Sequence, residues 1–309
     1  MPQYRGLVYP LWQHGGVADA TRADLGDVQR TLFVPLLARA RETVRRNPLL
    51  RDVTAVELVH AIDFDATVYD QSFLSFLVVI RTMILDWWVR QFLAANPQGT
   101  VVELGTGLNT RFERTDNGTA HWIDLDLPDT IALRRRFFAD TGRRQMLAAS
   151  VLDEDWLDAV ERLPGPYFFV SDGVLAYLAE DDVTAALSRI AGRFPGARLA
   201  FDTYPARALA AEHQMAARRG FARWQRACDD PRTLQRLGLD LIESVTVTRP
   251  PKGLRAQLPG RYRYLLPLAG PLLRGWGAVS LFRSAAAEPA AESPEPEVAR
   301  GTRERRSSE

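Results

Sequence analysis

The stretch Thr100-Val-Val-Glu-Leu-Gly-Thr-Gly-Leu-Asn-Thr-Arg111 reads as a buried strand that delivers an acid and two glycines to whatever lies beyond its end. Small residues at the carboxyl end of a central parallel strand let a ligand approach the backbone. About twenty residues further on, His121-Trp-Ile-Asp-Leu-Asp-Leu-Pro128 ends a second apolar run in carboxylates, and an acid at the end of strand two is the group that binds ribose hydroxyls in doubly wound sheets. The two signals together predict a Rossmann-like α/β sheet with a cofactor site at the ends of its first two strands.

The dinucleotide pattern is incomplete. Thr110 stands where the third glycine would be, so the helix cannot approach the strand as closely as a pyrophosphate site requires. Glu103 lies two residues before Gly105, where a nicotinamide or flavin fingerprint calls for no acid. A carboxylate there suits a cofactor that carries positive charge and no phosphate. S-adenosylmethionine has that character.

Charge and cysteine usage narrow the alternatives. A net charge of +1 over 309 residues implies no large field that would gather nucleic acid or an acidic membrane surface. Cys228 is the only cysteine, which excludes an intrachain disulfide and a cysteine-rich metal site. A cytoplasmic location is the default expectation, and residues 1–16 lack the pattern of a secretory signal. The apolar run 73–92 carries Arg81, Asp86 and Arg90, so a buried helix is expected there rather than a membrane span.

Helical spacing of apolar residues predicts helices over 31–47, 53–62 and 71–94, an N-terminal region (1–95) placed as a lid ahead of the sheet. From 96 to 283 short apolar runs alternate with amphipathic segments. Strands are expected at 101–104, 122–125, 145–149, 167–171 and 198–202, with helices at 128–140 and 180–194. A long helix over 206–226 belongs to an acceptor-site insertion near 203–240, and an extended run at 242–248 and a last strand at 276–282 complete the sheet. Residues 284–309 are rich in Ala, Pro, Glu and Ser and are expected to be disordered.

The pieces Gly105-x-Gly-Leu-x-Thr-Arg111 and Asp124-Leu-Asp-Leu-Pro128, followed by Ile131-x-Leu-Arg-Arg-Arg-Phe137, resemble the leucine carboxyl methyltransferase family, and within it the tetracenomycin-type polyketide O-methyltransferases of bacteria. The resemblance runs from about residue 31 to 282. It implies a class I S-adenosylmethionine-dependent methyltransferase fold: a seven-stranded sheet with an antiparallel last strand and an N-terminal helical lid. It further implies that Arg81, helped by Arg39 or Arg41, holds the methionine carboxylate. Glu103, Gly105 and Gly107 lie beneath the methionine, Asp126 takes the ribose with Asp124 beside it, and Leu127, Val151 and Leu152 flank the adenine. Asp172 faces the methionine amino group or the acceptor. The chain departs from the family at Asn109, where Asp is usual, and at Asp172, where Glu is usual.

A sulfonium methyl is already electrophilic, so such an enzyme chiefly aligns its reactants and excludes water. A carboxylate acceptor needs no base, whereas a phenol benefits from one. His213 is the base candidate of that second case. Tyr177, Asp202 and Tyr204, near strand ends, are candidate acceptor contacts, and Phe201, Tyr204, Phe221 and Trp224 a candidate apolar wall. The expected partner is a small-molecule acceptor, a carboxylate or a phenol of a polyketide-like metabolite. Methylation of a protein C-terminal carboxylate and non-catalytic cofactor binding are the alternatives.

Overall fold

The computed structural model describes residues 21–22, 29–69, 72–270 and 277–285. The expected disordered tail beyond 285, the start of the chain and His14 lie outside the described residues. The centre of the molecule is a seven-stranded sheet: β1 (Thr100–Leu104), β2 (His121–Asp126), β3 (Arg144–Ala148), β4 (Tyr167–Ser171), β5 (Arg198–Thr203), β6 (Leu239–Val245) and β7 (Ala278–Ser284). The spatial order is β3-β2-β1-β4-β5-β7-β6. The first five strands are mutually parallel, and β7 runs antiparallel to both β5 and β6. This is the class I methyltransferase topology. The order reverses between β1 and β4, so the crevice at their carboxyl ends is where a ligand of such a sheet binds.

The first five strands fall within two residues of expectation. The long helix α3 (Ser72–Ala95), which follows α1 (Phe33–Thr43) and α2 (Val53–Ala61), differs from its expected place in a lid. Ile80, Ile84, Leu85, Trp88, Val89 and Phe92 recur every three to four residues and pack on Val101, Trp122, Phe168 and Ala200 of the sheet, each buried side chain contributing about 2 kcal/mol. α3 is therefore a layer of the core, and it reaches the ligand crevice through Leu77, Val78 and Arg81, beside α1 and the turn before it. On the other face Trp156, Leu157 and Val160 of α6 (Asp155–Glu161) and Val183, Leu187 and Ile190 of α7 (Glu180–Arg193) cover Val102, Leu104, Ile123 and Phe169. No described helix is long and apolar enough to cross a membrane.

Two helices stop sooner than their spacing suggests. Helix α5 spans Pro128–Arg134 rather than continuing to 140; α4 is the short Arg111–Thr115 turn before it. Helix α8 spans Ala206–Arg219 and ends at Gly220, whose φ of 66° places it in the left-handed region that glycine adopts without strain. Residues 221–228 then leave the helix and return toward β4: the Gln225 and Arg226 amides donate to the Ala176 carbonyl at 2.7 and 3.2 Å. The extended run expected at 242–248 ends at Val245, because a turn closes from Arg249 N–H to the Thr246 carbonyl at 2.9 Å.

Candidate functional site

The period of two along β1 sends Val102 and Leu104 to one face and Val101 and Glu103 to the other, beneath α3. The register places Glu103 directly beside Asp124 of β2. Two buried carboxylates on one face of neighbouring strands demand cations, and arginines supply them. Arg111 donates through Nη1 to Glu103 (2.5 Å), through Nε to Asp86 of α3 (2.8 Å) and through Nη2 to Asp172 (2.9 Å). Arg114 bridges Asp86 to Asp52, and Asp52 also takes Arg39 Nε at 2.8 Å and the Thr110 hydroxyl at 2.5 Å. Asp52 caps α2 as well, accepting the Ala55 amide. A continuous line of buried ion pairs thus ties α1, α2 and α3 to the end of β1.

The second carboxylate is held separately. Asp124 accepts Arg144 Nε at 2.7 Å and the Thr106 hydroxyl at 3.1 Å, with Arg134 Nη2 3.0 Å away. Arg134 also donates to the carbonyls of Gly107 and Asn109, both at 2.8 Å. Asp124 therefore acts through the loop's supports: the loop is braced from below by a buried guanidinium. At Gly105 (φ 68°) a side-chain carbon would stand 2.5 Å from Val174 Cγ2, so the position requires glycine on both counts.

Above this loop lies a cavity of about 310 Å³ that runs from Gly105, Gly107 and Asp126 across Asp172 to Trp224. Of the residues expected at the cofactor, Arg81, Gly105, Gly107, Asp126, Leu127, Val151 and Asp172 line it. Glu103, Asp124 and Leu152 do not. Leu152 sits in a turn, its amide bonded to the Ser150 hydroxyl and its carbonyl to Arg189. The three expected acceptor contacts, Tyr177, Asp202 and Tyr204, all line the cavity. Of the expected apolar wall, Tyr204, Phe221 and Trp224 do so, whereas Phe201 stacks on Phe282 inside the sheet, ring centroids 4.9 Å apart. His213 does not reach the cavity: its Nε2 lies 2.7 Å from the Trp224 carbonyl, an internal contact that holds the segment after α8. No described histidine lines the cavity.

The electrostatics follow from burial. Asp126 accepts the amides of Gly107 (2.6 Å) and Leu127 (2.7 Å) and is nonetheless raised above the usual carboxylate range, because desolvation outweighs those bonds. Glu103 is raised to about 7 by burial, against the pull of Arg111; its Oε1 takes the Asn109 amide at 2.6 Å and its Oε2 is buried with no hydrogen bond. Burial pushes Asp172 the same way, but Arg81 and Arg111 overcome it and hold the group below its ordinary value. Arg81 Nη1 donates to Asp202 (3.0 Å) and to the Tyr204 hydroxyl (2.6 Å), while its Nε lies 2.6 Å from Asp172 Oδ1 without pointing at it. None of these contacts uses Nη2. Tyr204 in turn donates to Asp202. Among the cavity-lining side chains four are acids (Asp126, Asp172, Asp202, Glu212) and two are cations (Arg39, Arg81), so the chamber carries an excess of negative charge. No described cluster of His, Cys, Asp or Glu has the makings of a metal site.

The family model for leucine carboxyl methyltransferase matches residues 33–191, more than half of the chain. The chain belongs to the leucine carboxyl methyltransferase family. It is 38% identical over 180 residues to the tetracenomycin polyketide synthesis O-methyltransferase TcmP of Streptomyces glaucescens, an alignment covering 58% of this chain and 66% of that protein. It is 31% identical over 196 residues to the S-adenosyl-L-methionine-dependent methyltransferase dpfgK of Gibberella zeae, with the same two coverages. The chain thus spans slightly less than two thirds of the length of these relatives. A crystal structure described as a proposed methyltransferase from Thermobifida fusca YX superposes with a TM-score of 0.51 at 20% identity, over 81% of this chain and 95% of that one, which supports the fold.

Membership explains the glycine loop but not the residues that only the folded chain brings in. Asp52, Asp86 and Arg114 carry the ion-pair line and come from three separate helices. Gly173 belongs to the same class: its amide donates to Asp202 at 2.8 Å, and at φ 78° a side-chain carbon there would lie 2.9 Å from Arg81 Nη2. Glu212 is the other omission. Ala208, Glu212, Met215 and Ala216, all cavity-lining, share the i, i+4, i+7, i+8 stripe of α8, so an acid on an otherwise apolar stripe was the available signal.

Proposed function

We propose that the protein is an S-adenosylmethionine-dependent O-methyltransferase of a small aromatic, polyketide-like acceptor. The observation that carries this reading is the single cavity with a glycine-and-carboxylate end at β1 and β2 and an aromatic end formed by Tyr177, Tyr204, Phe221 and Trp224. The names borne by the relatives, a polyketide O-methyltransferase and an S-adenosylmethionine-dependent methyltransferase, agree with it.

The residues fit the cofactor's chemistry. A chamber with more acids than cations favours a ligand bearing a sulfonium and an ammonium. In this reading Asp126, whose oxygens keep lone pairs beyond the Gly107 and Leu127 amides, receives the ribose hydroxyls. Leu127 and Val151 flank the adenine. Gly105 and Gly107 admit the methionine chain to the backbone, and Asp172 and Arg81 take its ammonium and carboxylate, Arg81 through Nη2. Glu103, Asp124 and Leu152 hold these groups in place. When bound, the cofactor supplies an electrophilic methyl group. The chain's own part is to orient the acceptor oxygen and to keep water out with its aromatic walls.

Calorimetry with S-adenosylhomocysteine tests the reading: one site per chain is expected, and no binding would remove it. Methylation of a protein's C-terminal carboxylate is less favoured, since the acceptor end is lined by the rings of Tyr177, Tyr204, Phe221 and Trp224, which suit a small aromatic ligand.

A further inference from the structure

We infer that residues 221–228 form a strap whose Trp224 sets the width of the acceptor end, and that Glu212 and His213 are the positioning residues that hold Trp224 there. The inference rests on the methyltransferase reading and adds to it the determinant of acceptor size.

The strap has no helix or strand of its own, so contacts from other elements decide where its backbone lies. Its two aromatic residues, Phe221 and Trp224, are the ones that line the cavity. Phe221 stacks on Tyr69 with ring centroids 5.4 Å apart, and its amide donates to the Ala216 carbonyl of α8 at 3.2 Å. At the other end the Cys228 amide donates to the Tyr204 carbonyl and the Gln225 side chain to the Tyr177 carbonyl, both at 2.7 Å. The strap is thus anchored to α8 at its start and to the segments after β4 and β5 at its finish.

Between these anchors two consecutive residues of α8 fix Trp224. Its N–H donates to Glu212 Oε2 at 3.1 Å, and its carbonyl lies 2.7 Å from His213 Nε2, which carries the proton because a carbonyl only accepts. The indole N–H, the one donor of the ring, reaches the Tyr177 hydroxyl beside Thr31. Every polar group of Trp224 therefore has a partner outside the strap, and the ring is left to pack on Ala176, Tyr204 and Ala208. A side chain locked in this way by packing and by bonds from a neighbouring helix presents a fixed wall to a ligand.

The surroundings of the clamp suit this task. Glu212 is 8% exposed and feels the favourable charges of its neighbour His213 and of Arg223 on the strap itself. The strap turns Arg223 to solvent and Phe221 and Trp224 to the cavity. Tyr204, on which Trp224 packs, is held in turn by Arg81 and Asp202. Trp224 is the largest side chain at the acceptor end, so its position limits how many fused rings fit beside Tyr177 and Tyr204.

The test uses the full chain with S-adenosylhomocysteine bound and two matched probes, 3-hydroxy-2-naphthoic acid and its three-ring analogue 3-hydroxyanthracene-2-carboxylic acid, each carrying a carboxylate and a phenol. In calorimetry Trp224→Ala should shift the preference toward the three-ring acid by about tenfold or more, as removal of an indole from the wall implies. Glu212→Ala should weaken the two-ring acid about tenfold and His213→Ala about threefold, both with a shift toward the three-ring acid, since each frees one side of Trp224. Glu212→Gln keeps a carbonyl for the Trp224 amide and His213→Gln keeps a donor for its carbonyl, so both should restore affinity and preference. S-adenosylhomocysteine should bind every variant within about threefold of the wild type, which also shows that each is folded. The proposal falls if Trp224→Ala leaves the preference unchanged, if Glu212→Ala leaves both affinities unchanged, if the glutamine variants restore nothing, or if the wild type binds neither acid. Failure of the wild type to bind S-adenosylhomocysteine would instead overturn the methyltransferase reading beneath it.

Discussion

The two ends of the cavity are built on opposite principles. At the glycine end every carboxylate beneath the loop is clamped by arginines reaching in from other elements, Arg111 alone joining Glu103, Asp86 and Asp172. At the aromatic end Glu212 is held through a single amide, and the walls are largely rings and aliphatic chains, with Tyr204 and Trp224 3.9 Å apart. The first end spends buried charge to fix a backbone shape. The second uses shape and desolvation to select a ligand. A rigid end suits the cofactor of the proposed reading, and an end lined by rings suits its aromatic acceptor.

The largest expected disruption of this contrast is Arg111→Met, which takes a cation from three buried carboxylates and leaves Glu103 with no arginine in contact, while Asp86 keeps Arg114 and Asp172 keeps Arg81. A loss of about 3–5 kcal/mol is expected in urea denaturation, since breaking a buried pair leaves uncompensated charge; a loss below 1 kcal/mol would mean the hub does not clamp the glycine end. Gly105→Ala comes next. Its positive φ and the contact with Val174 should cost about 1–3 kcal/mol and abolish measurable S-adenosylhomocysteine binding. Asp126→Ala removes a group at the cavity wall and should weaken S-adenosylhomocysteine at least tenfold, as loss of charged hydrogen bonds of about 1.5–3 kcal/mol requires, with the melting temperature almost unchanged.

Asn109→Asp replaces the donor to Glu103 with a like charge. The sign of its pH dependence follows from Glu103. That carboxyl sits at about 7 in the folded chain against 4.5 ordinarily, so its contribution to stability is fully present below pH 4.5 and is lost as the pH rises through about 7. The Asn109→Asp penalty should therefore be small at pH 5 and grow toward pH 8, and Glu103→Gln should flatten the wild-type decline over that window. Asp86 behaves oppositely. Burial would raise it, but Arg114 and Arg111 bring it to about 2, so its contribution is present above its ordinary 3.8 and is lost as the pH falls toward 2. The smallest effect is expected from His213→Ala: about 1 kcal/mol or less for one hydrogen bond, with methylation retained. Its abolition would return His213 to the role of base.

The glycine end was legible because its parts are contiguous in the chain. Glu103, the two glycines and Asp126 lie within 24 residues, and strand periodicity assigns their faces. The departure at Asn109 also gains a reason, for an amide can donate to Glu103 where a carboxylate could not. Thr110, read first as a missing glycine, turns out to donate its hydroxyl to Asp52. The aromatic end was only partly legible. Helical periodicity ran past Gly220 because the segment after it keeps apolar residues at permissive spacing, and Phe201 went to the core because its side of β5 faces Phe282.

Sequence alone determined the sheet and the glycine loop at its topological switch, since alternation, glycine placement and an acid at a strand end are local properties of the chain. Tertiary structure decided which charges are spent and which are available. Arg39, Arg81, Arg111 and Arg114 look alike in the sequence, and only the packing of three helices against the sheet pairs each with its carboxylate. The same packing seats Glu212 at the aromatic end with the Trp224 amide on one oxygen, because a buried charge is defined by what surrounds it and not by its neighbours in the chain.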